Sequence, residues 1–295
     1  MKEIAPAVAC LPTIFVNSYF IGEPRGPWVL VDTGLPGFAG RIERLSWARF
    51  SRPPRAILLT HGHFDHAGSA AQLAWMWKVP VYCAVAELPY LTSRSDYPPA
   101  DPTMGGFLGL ASRVMPTRAI DLRPWVRSLP ADGVLEELPG WQILPTPGHS
   151  PGHVSLFRES DRVLIGGDAL ATVDQDSYTG AITGKQQLWR AGTPFTCNWA
   201  ATEASVKMLA ELEPRVLACG HGTPMSAQDL PQQLRRFANT FPRPRHGRYV
   251  PEPAITDEHA GVLQLPPAPA DPLPMLAAGI AAGAVLGHIV RSGKR

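Results

Sequence analysis

The chain has 295 residues, 45% of them hydrophobic and 18% charged, which allows a sizeable core arranged either as one large α/β domain with a tail or as two domains. Lysine and arginine outnumber the acids by only 27 to 25, so charge gives no case for nucleic acid as the substrate. The four cysteines, Cys10, Cys83, Cys197 and Cys219, are far apart, and three sit in or beside apolar runs. They read as buried thiols of a cytoplasmic protein rather than as a disulfide framework.

In chain order, Met1 to Pro6 carries one lysine balanced by one glutamate, and Pro6, Pro12 and Asn17 break the apolar stretch that follows. That is a poor signal peptide. Segments 13–21 and 27–32 read as strands joined by a turn from Gly22 to Gly26. Phe38, Ile42 and Leu45 recur at helical spacing and predict an amphipathic helix over 38–49.

The apolar run Ala56-Ile57-Leu58-Leu59 leads into Thr60-His61-Gly62-His63-Phe64-Asp65-His66, three imidazoles and a carboxylate within six residues. His61 and His63 are two apart, so in extended backbone both side chains leave on one side and both can reach a single ion. Asp65 and His66 follow where the strand must end, and a change of chain direction there aims them at a second point. Imidazole with carboxylate suits zinc, iron or manganese better than magnesium or calcium.

Residues 67–77 then read as a helix and Val79 to Ala84 as a strand, an alternation that predicts α/β layering. Residues 89–140 break it with many prolines, five arginines and one apolar piece around Phe107 to Met115. Such an insertion either covers substrate or is a solvated excursion. Three further apolar runs end in glycine and a metal-capable side chain. They are Trp141 to Leu144 before Gly148-His149, Arg162 to Ile165 before Gly166-Gly167-Asp168, and Arg215 to Cys219 before Gly220-His221. Residues 169–196 leave Asp168 directly, so Tyr178, Lys185 and Arg190 are expected to contact substrate. A helix over 199–212 is capped by Asn198 or Thr196, and Asp229-Leu230-Pro231-Gln232 reads as a capping box opening a helix to about 239.

The order H-x-H-x-D-H at 61–66, then His149, Asp168 and His221, with Val29-Leu30-Val31-Asp32-Thr33-Gly34 ahead of it, resembles the metallo-β-lactamase superfamily over roughly residues 10–225. The resemblance implies a four-layer αββα sandwich. It implies one metal held by His61, His63 and His149, a second held by Asp65, His66 and His221, and Asp168 bridging them. Five of the nine histidines fall on this pattern. His153, four residues on from His149, either supports that site or packs. With every ligand position filled, Asp32 reads as a hydrogen-bond partner of a ligand or a turn former.

Two divalent cations, zinc first with iron or manganese as alternatives, imply hydrolysis by a metal-bridging hydroxide that Asp65 orients. The Gly-Gly-Asp-Ala-Leu and Pro-Gly-His-Ser-Pro-Gly-His settings look most like the glyoxalase II branch, which points to a small ester or thioester. The glutathione-binding segment of that branch is not recognisable after Asp168. Ala171 stands where quorum-quenching lactonases often carry tyrosine. A lactonase, a phosphodiesterase or a mononuclear-iron persulfide dioxygenase are the alternatives.

The catalytic domain is expected over 1–241. Residues 242–274 are proline-rich and read as an extended segment that wraps the domain or links to the tail. Residues 275–295 read as an apolar helix and basic end, with Gly279, Gly283 and Gly287 every four residues. That helix either enters a membrane or packs on the body or on a second copy in a homo-oligomer.

Overall fold

The computed structural model describes residues 1–271. The tail expected over 275–295 lies outside the described residues, as does the end of the proline-rich segment. A seven-stranded sheet runs in chain order: β1 (Lys2–Ala5), β2 (Val8–Thr13), β3 (Val16–Ile21), β4 (Val29–Val31), β5 (Ala56–Leu58), β6 (Val81–Cys83) and β7 (Val126–Ser128). Its first four strands are antiparallel neighbours, and β4 to β7 are parallel. The second sheet has β8 (Gln142–Pro145), β9 (Val154–Arg158) and β10 (Val163–Gly167). Beside β10 and parallel to it lies β13 (Val216–Cys219). Between them in sequence, β11 (Ala171–Val173) and β12 (Gln186–Trp189) form a two-stranded ribbon.

The layering follows from the period of two within each strand. Val29 and Val31 of β4 and Leu58 of β5 face the second sheet, where they pack with Ile143, Leu156, Val163 and Ile165. Leu30, Ile57 and Leu59 face the other way. There they meet α1 (Ala39–Phe50), which follows β4, and α3 (Ala70–Trp77), which follows the single turn α2 (Phe64–Ala67). Ala39, Ile42, Ser46 and Phe50 make the buried stripe of α1, and Phe50 stacks 4.5 Å from Trp28. Truncating Phe50 to alanine would cost about 3–5 kcal/mol by the cavity it leaves. On the far side, Leu164 and Leu217 pack under α7 (Trp199–Glu211) and α8 (Leu230–Asn239). Helix, sheet, sheet and helix thus enclose three apolar layers. This is the expected αββα sandwich.

Several expectations change in detail. The helix expected over 67–77 is split, because the Ser69 amide donates to Thr33 Oγ1 and its hydroxyl to the Leu35 carbonyl, which ends α2 before α3 starts. The strand expected over 13–21 is shorter and follows a separate hairpin, β1–β2. Pro12 fits β2 because it is exposed and sits one step from the turn, opposite Asn17. Asn198 caps α7 through the Ala201 amide, whereas Asp229 takes the side-chain amide of Gln233 and makes no capping bond. The 89–140 insertion carries α4 (Leu88–Leu91) at its start, α5 (Gly106–Ala111) and β7, and α6 (Tyr178–Thr183) lies in the second irregular stretch. Residues 242–271 hold one hairpin, β14 (Ile255–Asp257) with β15 (Gly261–Gln264), and bond to the insertion: Tyr249 to the Pro99 carbonyl and the Arg248 amide to Asp101.

Candidate metal centre

Each polar residue of the sequence pattern leaves a strand at the same edge of the sandwich. Asp32 follows β4, His61 and His63 follow β5, His149 lies in the β8–β9 loop, Asp168 follows β10 and His221 follows β13. His63 is extended and caps α2, whose first turn carries Asp65 and His66, with the His66 ring 4.2 Å from that of His61. All seven expected ligands, His61, His63, Asp65, His66, His149, Asp168 and His221, are buried there together.

They form two convergent sets. His63 Nδ1 lies 3.0 Å from His61 Nε2 and 3.0 Å from His149 Nε2. Tetrahedral zinc with ligands at about 2.0–2.1 Å needs nitrogens about 3.3 Å apart, so the spacing fits a shared cation with a small expansion. In the second set, Asp65 Oδ2 is 3.9 Å from His66 Nε2 and 3.5 Å from His221 Nε2. Asp168 Oδ2 faces both sets, 3.6 Å from His149 Nε2, 3.6 Å from His66 Nε2 and 3.1 Å from His221 Nε2.

The surrounding bonds fix which nitrogen is free. Thr60 gives its hydroxyl proton to Asp32, so its oxygen accepts from His61 Nδ1 at 3.2 Å. Thr196 donates to the Ala191 or Gly192 carbonyl and accepts from His149 Nδ1 at 3.2 Å. His66 Nδ1 donates to Asp32 Oδ2 and His221 Nδ1 to the Phe15 carbonyl, each at 2.8 Å. In all four rings Nε2 is left to face the centre, the arrangement that metal-binding histidines use. His66 Nε2 and Asp168 Oδ1 are fully buried with no hydrogen-bond partner. Such orphaned atoms are costly unless something else satisfies them. A Cβ at Gly220 would overlap Asp168 Oδ1 and stand 2.6 Å from His66 Cε1. The cradle is therefore open only because residue 220 has no side chain. Donor type, spacing and orphaned atoms all fit two divalent cations.

Charge is arranged to match. Burial first, then the neighbouring imidazoles, hold His61 and His149 well below the usual histidine range and His63 down to about 3, so these rings are neutral and free to ligate. Burial works against ionising Asp168, but His221 and His66 overcome it and hold the carboxyl well below its usual range. The same pairing, again against burial, raises His66 and His221. Without a metal, protons on these two rings neutralise the carboxylates. Binding a cation there releases them.

Two supports were read from the sequence only as alternatives. Asp32, at φ 57°, accepts from the Thr60 amide, the Thr60 hydroxyl and His66, so it is both a turn residue and an orienting group. His153 Nε2 accepts the Asp168 amide at 2.8 Å, which leaves the proton on Nδ1 for Thr146. It holds the backbone of the shared carboxylate. Sequence reasoning missed Glu87. Its buried carboxylate accepts from the amides of Gly62 and Gly152 and from the hydroxyls of Ser150 and Tyr97, tying the His61–His63 loop to the His149–His153 loop. A single carboxylate inside the apolar run Val85 to Leu88 was its one visible signal.

Residues 11–221 match the family described as the metallo-beta-lactamase superfamily. The chain belongs to the metallo-beta-lactamase superfamily. It is 40% identical over 242 residues to the probable metallo-hydrolase YflN of Bacillus subtilis (strain 168), spanning 80% of this chain and 92% of that protein. It is 28% identical over 186 residues to an N-acyl homoserine lactonase of Bacillus cereus, over 55% of this chain and 63% of that protein. The solved BLEG-1 B3 metallo-beta-lactamase superposes with a TM-score of 0.52 at 26% identity, covering 77% of this chain and 97% of that one.

The centre opens into a cavity of about 650 Å³ bordered by His63, Asp65, His149, Asp168 and His221. Three residues expected to contact substrate are not in its wall. Tyr178 is exposed on α6 with its ring 5.9 Å from Phe107, and Lys185 is exposed beyond the end of that helix. Arg190 is held by Asp176 at 2.8 Å and by the Pro242 carbonyl. The rest of the wall is mostly apolar, with Asn17, Gln175 and Thr223 as uncharged polar members, and Lys2 is the one lysine or arginine among its described lining residues.

Proposed function

We propose that this superfamily member is a metal-dependent hydrolase of small uncharged esters or thioesters, nearest the glyoxalase II-like branch, with zinc as the first candidate metal and iron or manganese next. The observation that carries this reading is the pair of convergent donor sets sharing Asp168 Oδ2 at the end of an apolar cavity. Two cations bound there supply an electrophile for a carbonyl oxygen and lower the pKa of water towards neutrality. Asp65 borders the cavity, so it is placed to orient the attacking water. No side chain is needed as a nucleophile: burial pushes the Cys10 thiol, which also lines the cavity, up to about 12, and Ser150 is committed to Glu87.

A phosphodiester would bring a negative charge into a wall with a single lysine, which favours the neutral ester classes over it. Cyclic esters fall within the same chemistry, and the lactonase relative at 28% identity supports including them. Metal content of the purified full chain, paired with a panel of thioester, lactone and phosphodiester substrates, tests the reading. Two zinc or manganese ions with thioester or lactone turnover supports it. One iron with oxygen consumed in the presence of a persulfide overturns it in favour of a dioxygenase.

Among the described residues no helix is long and apolar enough to cross a membrane. Whether residues 275–295 anchor the protein or pack on a copy is decided by membrane-fraction partitioning and sedimentation of the full chain against one ending at 271.

A further inference from the structure

The cavity wall changes from metal-capable groups to hydrocarbon beside both donor sets. The Phe195 ring lies 5.8 Å from that of His63, and the Phe15 ring stacks 6.1 Å from that of His221. The lining also includes Ile4, Leu108, Ala111, Met115 and Val173, with Lys2, Asn17, Gln175 and Thr223 as its other polar side chains. The apolar surface does not stop at the mouth. Ile14 and Phe107, both of them lining residues, are 75% and 39% exposed, so the apolar lining runs out to solvent at the β2–β3 turn and at α5. Exposed apolar side chains scattered singly need no explanation, but a rim continuous with an apolar cavity does. The two insertions that build it are joined, since the Phe107 amide donates to the Asp176 carbonyl at 2.8 Å.

Resting on the hydrolase reading above, we infer that the substrate's acyl part is an unbranched aliphatic chain of medium to long length. The carbonyl sits at the donor sets, the first methylenes fill the cavity and the later ones run along Ile14 and Phe107. Water adds its oxygen to the carbonyl carbon, and the bond from that carbon to the ester oxygen or thioester sulfur breaks. A proton from water leaves with the alcohol or thiol. The cavity, at about 650 Å³, is far larger than an acetyl group needs and lies in the range that encloses ligands of drug size. The acyl side is assigned because Phe195 and Phe15 adjoin the donor sets themselves, and the first acyl carbon is attached directly to the carbonyl carbon whereas the first leaving-group carbon lies one polar atom farther off.

The test uses the zinc-loaded full chain and thioesters of mercaptoethanol with acyl groups from acetyl to dodecanoyl, kept below micelle formation. Each added methylene should raise kcat/KM about threefold to fourfold until the cavity is full, mainly through KM. Alkyl acetates from ethyl to octyl should show no such rise. Ala111→Phe and Ala181→Phe, on different helices and neither fully buried, should each lower the octanoyl-to-acetyl ratio at least tenfold. A flat acyl series with acetyl turned over, a rise confined to the alkyl series, or two variants with an unchanged ratio overturns the inference while leaving the hydrolase intact. If no ester is turned over, the hydrolase reading fails instead. Displacement of a fluorescent naphthalene sulfonate dye then decides the chain site: release by decanoate but not acetate supports it, and no release overturns it.

Discussion

Replacing Glu87 by alanine removes an acceptor that four donors share. Two of them, the Ser150 and Tyr97 hydroxyls, can rotate to other partners, but the amides of Gly62 and Gly152, at 3.0 and 2.8 Å, are fixed in buried loops and cannot. Each unsatisfied buried amide costs about 1–3 kcal/mol, which gives about 2–6 kcal/mol for the pair. Against this, the variant no longer buries a carboxylate whose pKa burial has raised, so a net loss near 3 kcal/mol is expected. Because Gly62 lies between His61 and His63, and Ser150 and Gly152 lie within the His149–His153 loop, zinc affinity should fall with stability, by about 10–100-fold. Urea denaturation of the metal-free protein and competition for zinc with a chromophoric chelator measure the two effects. Tyr97→Phe is the comparison. It leaves three donors on the carboxylate and should cost only about 1 kcal/mol with zinc affinity within threefold of the parent. A Glu87→Ala protein within 0.5 kcal/mol of the parent and unchanged in zinc affinity would refute the idea that this carboxylate holds the two histidine loops together.

Asp32→Asn puts an amide N–H opposite His66 Nδ1, so that ring should move its proton to Nε2 and point it at the centre. Metal titration should show one equivalent bound about 10–100-fold more weakly. Gly220→Ala places a methyl against Asp168 and His66, and elemental analysis should find the second metal depleted in a protein whose far-UV circular dichroism is unchanged. The metal-free protein should lose stability in acid. Burial lowers His153 to about 4 and His63 to about 3, and lowers His61 and His149 as well, so the native state binds fewer protons than the unfolded chain. That contribution is complete above the unfolded value of 6.5 and is lost as pH falls through 6.5 towards about 4 and 3. The raised His66 and His221, and the raised carboxyls of Asp65 and Glu87, act in the opposite sense, giving stability in acid that is lost as pH rises, and so reduce the slope. The urea midpoint should fall between pH 7 and pH 4.5. An unchanged midpoint would contradict the neutral state assigned to the buried rings.

The ligands were legible because each follows an apolar run closely, and the runs had to be strands buried on both faces. Once β4, β5, β10 and β13 are placed in their sheets, their following loops must emerge at one edge, and the donors come together without further information. The supports were less legible. Asp32 and His153 each have partners far along the chain, in Thr60 and Asp168, so the sequence could offer only alternatives for them. Glu87 was invisible because its four partners come from positions 62, 97, 150 and 152, three separate segments that only the folded sandwich brings to one carboxylate.

The same reasoning explains why the polar residues of the insertions misled. Arg190 looked like a substrate contact because it lies soon after Asp168, yet Asp176 and the distant Pro242 carbonyl already satisfy its guanidinium. A charged side chain in an irregular segment has two uses, and the nearer counter-ion usually decides. The apolar residues around Phe107 and Met115 lie in an insertion that read either as a substrate cover or as a solvated excursion. Here Leu108 is buried but Phe107, Leu110 and Val114 remain exposed, so α5 places only part of its apolar surface inside the protein. Anchoring alone would not require the rest. Exposed hydrocarbon at a cavity mouth, Ile14 and Phe107 here, is stable against self-association only if it is sparse or regularly covered, and substrate is the one cover that the centre itself would bring there.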